Sequence, residues 1–421
     1  MPSSISSSEA TSSDAVRTDT GISQAANSAT AMHAEGIVLP ERFERPGFVR
    51  LTASDRPGVA QPVPERDIPQ QPWGRIVLGA LLLFLVLMTL WEWHWRDFGN
   101  APSYRNSDGA WAEQRRRINQ GEGGATVLIG ASRTLFDVQL DEWQQVTGER
   151  PIQLALEGTS PVPVLEDLAA DADFTGKLVV DLSTNNIFFG MDGIRAETVG
   201  YYHKQSPSQR SGHWLSQQLL EPYFAFDDPD FALAKVLRRQ SFWPARERLP
   251  PAPQVRKLAV SGRDRDTHMW RKVETDPAYR QVVQDIWRHI VKRPPPPMAD
   301  TPDKARQVRE KQIDRIVAAT DKLRARGVRV VFLRPPSTGP WYELEQRVIP
   351  RHETWDVVLR RARAPGVHFE DHAQLQGLDL PEWSHLSHAD AKRFTVALAP
   401  LLEQGFAQQE QARPAATQHV P

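Results

Sequence analysis

Residues 125–136 read ATVLIGASRTLF, a short apolar run that ends in Gly-Ala-Ser before a segment of helical character. Five apolar or β-branched residues are too few for a helix and are typical of a buried strand. Ser132 stands where this strand would end and the next helix would begin. The stretch therefore predicts a strand, a turn and a helix, with a hydroxyl at their junction.

Four further runs of the same kind predict four more strands. They are residues 151–155, 178–182, 329–333 and 367–370. Helical patterns lie between them at 135–147, 162–170 and 303–326. Strands that alternate with helices predict an α/β fold, with a five-stranded, mainly parallel sheet covered by helices on both faces in three layers, α/β/α. Residues 187–300 interrupt the alternation, and we interpret them as a helical insertion that caps one end of the sheet.

A membrane-spanning helix is predicted at residues 73–95. Residues 76–91 carry no charge. Tryptophans lie at both ends of this run, Trp73 at one end and Trp91, Trp93 and Trp95 at the other. Sixteen helical residues rise about 24 Å, and flanking tryptophans at the headgroups extend the fit to a hydrocarbon core of about 30 Å. A buried helix of a soluble domain is the alternative, but the segment has no polar face to meet water.

Composition divides the rest of the chain. Residues 1–70 are rich in Ser, Thr, Ala and Pro and are predicted to be a disordered tail, as are residues 404–421. Residues 96–122 form a juxtamembrane segment, and residues 123–403 form the main domain. The chain has 51 basic and 52 acidic residues, so no positive field predicts a nucleic-acid partner. Cysteine is absent, which excludes disulfides and thiol catalysis.

Polar residues follow the predicted strands, and in an open parallel sheet such residues meet at one edge. They are Ser132, Asn185, Asn186, Arg334, Glu382 and His385, and Gly158 lies in a corresponding position. Acyl transfer requires a nucleophilic hydroxyl, a base and a carboxylate that orients the base. Ser132, His385 and Glu382 are the candidates for these roles. Gly158, with Asn185 or Asn186, is the candidate site for the oxyanion, and Arg334 is a candidate to bind an anionic substrate group or to form a salt bridge.

Four short blocks give the sequence a resemblance to a known family. IGASRT contains Ser132, LALEGTSP contains Gly158, VVDLSTNNIF contains the two asparagines, and EWSHLSHADA contains Glu382 and His385. In this order they resemble the SGNH (GDSL-like) hydrolase superfamily, in particular its membrane-anchored bacterial branch related to alginate O-acetylation proteins. Three positions depart from the family pattern: Ala131 replaces a common Asp, Glu382 replaces the commoner Asp, and the third block lacks a clean Gly-x-Asn-Asp. The last departure leaves open which asparagine serves the oxyanion.

The resemblance implies a flavodoxin-like SGNH fold and a Ser132–His385–Glu382 triad that works without a cofactor or metal. The implied activity is ester hydrolysis or O-acetyl transfer on a cell-surface polysaccharide, with a membrane-bound O-acyltransferase as a partner. It also implies an inner-membrane protein with its amino terminus in the cytoplasm and its domain in the periplasm.

Two other functions compete with this interpretation. A metal-dependent hydrolase is the first, because several potential ligands cluster near the carboxyl terminus: His368, His372, His385, His388, Asp371 and Asp390. A non-catalytic module that binds polysaccharide or scaffolds a membrane acetylation complex is the second. Asp371 is also the alternative acid if Glu382 points away from His385.

Overall fold

A five-stranded parallel sheet organises the computed structural model, which describes residues 70–239 and 256–411. Its strands are β1 (Thr126–Ile129), β2 (Ile152–Gln153), β3 (Lys177–Asp181), β6 (Arg329–Arg334) and β7 (Gly366–His368). They lie in the order β2-β1-β3-β6-β7, and every neighbouring pair is parallel. The predicted α/β class and parallel sheet are confirmed, and each predicted strand starts within one residue of its observed position.

Alternate residues of the strands belong to two separate hydrophobic clusters, as the period of a strand requires. Val127 and Val180 belong to a cluster with Trp111 and with residues of the long helix that ends before β6. Leu128 and Val179 belong to a second cluster, with Trp143 and the carboxyl-terminal helix. Both faces of the strands are therefore buried, which explains why the strand sequences are almost continuously apolar.

Helices connect these strands along the chain, and several of them lie in the long sequence segment between β3 and β6. They are α1 (Trp73–Asp97), α2 (Asp108–Arg117), α3 (Ser132–Asp137), α4 (Leu140–Thr147), α5 (Val162–Ala170), α6 (Asn185–Phe188), α7 (Gly193–Lys204), α8 (Pro207–Leu219), α9 (Leu233–Arg238), α10 (Arg271–Thr275), α11 (Pro277–Val291), α12 (Pro302–Ala325), α13 (Gly339–Val348), α14 (Trp355–Ala362) and α15 (His388–Gln411). A π-helical turn, Ile118–Glu122, follows α2, and short 3₁₀ turns lie at Ala225–Asp227, Pro297–Ala299, Arg351–Glu353, Phe369–Asp371 and Ala373–Leu375.

The helix predicted at 135–147 is two helices, α3 and α4, and begins earlier, at Ser132. The chain is extended at Val138 and Gln139, where the Gln139 N–H donates to Thr395 Oγ1 at 2.9 Å. The Gln139 amide also donates to the Thr267 carbonyl at 2.9 Å. These contacts come from residues more than 120 positions away, so a local pattern does not reveal the break.

The segment 187–300 is not purely helical. It contains a hairpin of β4 (Ala259–Ser261) and β5 (Thr267–Met269), which pair in antiparallel fashion. Arg265, in the turn, is buried and donates to the carbonyls of Gln153 and Ala155 at 2.7 and 2.6 Å. The hairpin therefore satisfies backbone groups at the end of β2, a role that its own sequence does not indicate.

Two predicted boundaries also differ from the structure. Residues 96–122 do not form a separate segment, because Trp111 is fully buried in the first cluster. Residues 404–411, predicted as part of the tail, continue α15, with Phe406 buried and the Gln409 amide donating to the Val330 carbonyl at 2.7 Å. Residues 1–69 and 412–421, which hold the remainder of both predicted tails, lie outside the described residues.

Among the described residues, α1 is the one helix long and apolar enough to cross a membrane, with a mean hydropathy of 2.2 over its most apolar window. It extends two residues beyond the predicted span. Side chains such as Leu83 and Leu85 are about 60% exposed, so the rest of residues 70–239 and 256–411 does not cover them. Near its end, Trp95 is buried against Phe231, with ring centroids 4.4 Å apart.

Candidate active site

A chain of hydrogen bonds joins Ser132, His385 and Glu382 at the carboxyl edge of the sheet. Ser132 Oγ lies 2.7 Å from His385 Nε2. His385 Nδ1 lies 2.6 Å from Glu382 Oε1, and the same oxygen accepts the backbone N–H of His385 at 2.8 Å. A hydroxyl that contacts an imidazole, which in turn contacts a buried carboxylate, can be activated as a nucleophile.

Two separate parts of the fold position the three members of this hydrogen-bond chain. Ser132 is the first residue of α3, directly after the loop that leaves β1. Glu382 and His385 lie on a tight loop in which Trp383 adopts a left-handed conformation, with φ +74°. This conformation is uncommon for a residue with a side chain, and it is held by a 2.9 Å bond from the Thr338 N–H to the Trp383 carbonyl. The turn lets a carboxylate three residues before the histidine reach the ring.

The imidazole and the carboxylate are both shielded from water. His385 is 2% exposed and packs against Phe136, with ring centroids 4.4 Å apart, while Glu382 is 0% exposed. A buried carboxylate requires donors on both oxygens. Glu382 Oε2 receives its donor from the indole N–H of Trp287, which lies on α11 in the insertion.

Buried carboxylates hold the loops on which Ser132 and His385 stand. Asp181, at the end of β3, accepts the Ala131 N–H at 3.3 Å and the Thr134 hydroxyl at 3.0 Å. Asp137 accepts the Leu386 N–H at 2.9 Å, directly after His385. Burial raises the pKa of Asp137 well above its ordinary value.

A buried ion-pair network also holds α3 in place through Arg133. Glu345 pairs with both Arg133 and Arg334 and accepts the Ser337 hydroxyl at 2.6 Å. Burial alone would raise the pKa of Glu345, but the two guanidinium groups outweigh it and lower the pKa. Arg334 also donates to the Ser183 carbonyl at 2.7 Å. Of the two expected roles of Arg334, the structure therefore shows the salt bridge.

Gly158 and the two asparagines lie beside Ser132 in the wall of one large cavity. Gly158 has φ +62°, a conformation that glycine adopts without strain. The Asn186 amide donates to the Gly158 carbonyl at 3.1 Å, so it holds this loop in place. Within the described residues the side-chain amide of Asn185 has no hydrogen-bond partner. Both amide N–H groups of Asn185 are therefore available to a ligand, whereas one of the two of Asn186 is engaged.

The cavity has a volume of about 910 Å³ and extends from Ser132 to the insertion. Indole rings of Trp287 and Trp341 form part of its wall and meet edge to face, with centroids 5.7 Å apart. The prolines 294–296 of the predicted rigid stretch line the same space. The insertion thus supplies much of the wall of the cavity that contains Ser132.

The histidines considered as metal ligands do not converge. His385 is bonded to Ser132, His388 stacks on His268 with centroids 3.9 Å apart, and His368 stacks on Phe369 at 5.3 Å. Burial, with the nearby Arg334 and Arg351, lowers the pKa of His368 to about 3. In residues 70–239 and 256–411, no group of three potential ligands is arranged to hold a metal ion. Asp371, the alternative acid, is paired with Arg351 at 2.7 Å.

Sequence reasoning missed Trp287, Asp137, Asp181 and the bridging role of Glu345. Asp181 is the last residue of β3, at the same edge of the sheet as the predicted site residues, and this position was the available signal for it. Trp287 lies in the insertion, 95 residues from its partner, and no local pattern marks it.

No family model matches this chain, and no curated protein is detectably similar to it in sequence.

Proposed function

We propose that the protein is a membrane-anchored serine-dependent acyl-ester hydrolase or O-acetyltransferase of the SGNH type that acts on a cell-surface polysaccharide. The observation that carries the proposal is the continuous hydrogen-bond chain from Ser132 Oγ through His385 to Glu382. A hydrogen-bond chain of this kind activates a serine hydroxyl as a nucleophile, whereas a serine that only caps a helix does not need a buried imidazole beside it.

In the proposed reaction, Ser132 Oγ attacks the carbonyl carbon of an acyl ester while His385 Nε2 accepts the hydroxyl proton. The tetrahedral intermediate collapses, the C–O bond to the leaving alcohol breaks, and His385 returns the proton to that alcohol. Water or a sugar hydroxyl then attacks the acyl-serine by the same route in reverse and releases Ser132. Glu382 orients the ring and stabilises the imidazolium in both halves.

The oxyanion of each intermediate requires preorganised donors. We assign this role to the backbone N–H groups of Ser132 and Gly158 and to the amide of Asn185. Gly158 and Asn185 line the cavity together with Ser132. We assign Asn185 rather than Asn186 because one of the two amide N–H groups of Asn186 already donates to the Gly158 carbonyl, whereas the side-chain amide of Asn185 has no partner among the described residues.

The substrate class follows from the cavity wall. Its volume is at the upper end of the range for small-molecule sites, which fits several sugar units. Indole faces pack well against sugar rings, and Trp287 and Trp341 both line this space. Arg256, Arg293 and Arg347 also line it, and none has a carboxylate partner within the described residues. This charge favours an acidic polymer.

The wider arrangement is part of the same proposal. Two hydrophobic clusters on alternate strand positions support a three-layer α/β/α domain of the flavodoxin-like SGNH kind. The exposed apolar α1 supports a single membrane span, and the placement in the bacterial inner membrane with the domain in the periplasm rests on the family resemblance alone. A membrane-bound O-acyltransferase would supply the acetyl groups if the protein is a transferase.

Covalent labelling tests the proposal. A fluorophosphonate probe should label the full-length protein, and Ser132→Ala and His385→Ala should reduce labelling at least about 10³-fold because the activated hydroxyl is lost. Ser183→Ala is the matched control, since Ser183 lines the same cavity without contacting His385, and it should be labelled like the wild type. Equal labelling of Ser132→Ala would contradict the proposal, and polysaccharide binding without labelling would favour the non-catalytic module.

A further inference from the structure

An apolar surface on α8 and the turn after it is left exposed by the described residues. Outside α1, twelve large apolar side chains of the described residues are conspicuously exposed, and six of them fall in one stretch of eleven residues. They are Trp214, Leu215, Leu219, Leu220, Tyr223 and Phe224. Tyr223 and Leu219 are 61% and 58% exposed. We call this surface the 214–224 patch.

Local structure makes the patch continuous. Leu215 and Leu219 are one helical turn apart on α8, so they share a face. The backbone N–H groups of Tyr223 and Phe224 both donate to the Leu220 carbonyl at 3.0 Å, which folds the turn tightly against the end of the helix. The exposed side chains therefore belong to one rigid element.

The patch is bonded directly to the end of α1. Arg96 donates to the Tyr223 carbonyl at 2.8 Å. Glu92 accepts the backbone N–H groups of Ala225 and Phe226 at 2.9 and 3.1 Å. These bonds place the turn beside residues 92–96 of α1.

That level is where the apolar run of α1 ends. Leu90 is its last aliphatic residue, and Glu92 lies about 3 Å further along the helix axis at 1.5 Å per residue. Trp93, 64% exposed, marks the same level. If α1 crosses a bilayer, the turn at Tyr223 lies at the boundary between hydrocarbon and headgroups, where Trp and Tyr are preferred.

We propose that the 214–224 patch is a second membrane contact, which inserts into the interface of the same bilayer that α1 crosses. The proposal rests on the membrane span of the proposed function. The patch fits this partner because amphipathic surface helices bury Trp and Leu among acyl chains and present cations to the headgroups. Arg210 supplies such a cation, since it lines a shallow pocket with Trp214 and Leu215. A protein partner would not require the patch to coincide with the end of the span.

Single-cysteine labelling tests the contact in the full-length protein, which has no cysteine of its own. Leu219→Cys and Tyr223→Cys change exposed side chains and leave the core intact. Val396→Cys is the matched control, because Val396 is an exposed apolar residue of α15, 50% exposed. Leu83→Cys, within the apolar run of α1, reports whether the span is in the membrane.

Each variant carries a fluorophore and is reconstituted in phosphatidylcholine–phosphatidylglycerol nanodiscs whose lipids bear nitroxide quenchers on the acyl chains. We expect quenching at 219 and 223 to exceed that at 396 at least about threefold. Quenching at 83 but not at 219 or 223 would overturn the second contact and leave the anchor intact. No quenching at 83 would overturn both, and neither result bears on the labelling of Ser132.

Discussion

At the scale of single residues, the site depends on how Glu382 is held. The loop geometry aims one carboxylate oxygen at His385, but the other oxygen is equally buried and requires its own donor. Trp287 meets this need with its indole N–H, and it simultaneously lines the cavity. One residue of the insertion therefore both lines the cavity and holds Glu382 in place, so it is a positioning residue for the proposed reaction.

Trp287→Phe should lower kcat about 10- to 100-fold, because it removes the indole donor to Glu382 and retains an aromatic ring in the wall. KM should change less than about threefold. Steady-state kinetics with a soluble acetyl ester measures both. In a Glu382→Ala background the same substitution should have little further effect on kcat, because the carboxylate that it serves is absent.

Trp341 provides the control for that experiment. Its ring meets Trp287, yet its buried indole N–H has no partner in the described residues. Trp341→Phe should therefore leave kcat within about twofold of the wild type. If both tryptophan variants lost the same activity, ring packing rather than the hydrogen bond to Glu382 would be the cause.

At the scale of elements, the hairpin of the insertion is joined to α15 by two stacked histidines. His268 on β5 lies face to face with His388 at the start of α15, with centroids 3.9 Å apart. Burial, together with His388 and Lys392, lowers the pKa of His268 to about 4. The pKa of His388 is also lowered, because burial and Lys392 outweigh the opposing effect of Glu274 and Glu142. The contact is therefore built from two neutral rings.

His268→Phe should make the protein less sensitive to acid. Unfolded histidine binds a proton near pH 6.5, and the folded His268 does so only near pH 4, so the unfolded state holds more protons between these values. The wild-type free energy of unfolding should therefore fall as the pH decreases from about 6.5 to 4. Phenylalanine keeps an aromatic ring but cannot bind a proton, so the variant should not show this loss of unfolding free energy. We expect the loss in the wild type to be on the order of 1 kcal/mol at pH 5, a value reduced for solvent screening because the site is partly exposed.

Denaturant unfolding of the full-length protein at pH 7.5 and pH 5 measures the difference. His352→Phe is the control, since the His352 side chain is 77% exposed, and it should show the wild-type dependence on pH. An unchanged pH dependence in His268→Phe would rule out the stacked pair as its source.

At the scale of the whole molecule, the segment that follows α1 is part of the hydrophobic core. Trp111 on α2 is fully buried, and its indole N–H donates to the Leu154 carbonyl at 3.0 Å. Arg115, also buried, pairs with Asp167 at 2.8 Å and with Asp171 at 2.6 Å. The chain therefore enters the core soon after it leaves α1.

Trp111→Ala should destabilise the protein by about 3–5 kcal/mol, the usual cost when a buried indole is replaced by a cavity. The thermal unfolding of the full-length protein in nanodiscs measures this as a lower Tm. Val396→Ala, which shortens an exposed side chain outside the 214–224 patch, should cost no more than about 0.5 kcal/mol. Equal Tm values for the two variants would show that residues 96–122 are not part of the cooperative unit.

Much of the fold was predictable because short-range patterns determine it. The period of apolar residues located all five strands, and α5 was predicted at its observed bounds. The positions of Ser132, Gly158, Glu382 and His385 followed from one topological rule, that strands of a parallel sheet end at the same edge. The exposed α1 likewise follows from an uninterrupted apolar run.

The tertiary structure alone decided the features that depend on contacts between distant residues. It placed Ser132 against a histidine 253 positions away, paired Arg334 with Glu345, and brought Trp287 to Glu382. It also divided one predicted helix at Gln139, which donates to Thr395 and Thr267. The physical reason is that periodicity reports which side of an element is buried, whereas the partner of a buried polar group is set by packing between elements that no local pattern encodes.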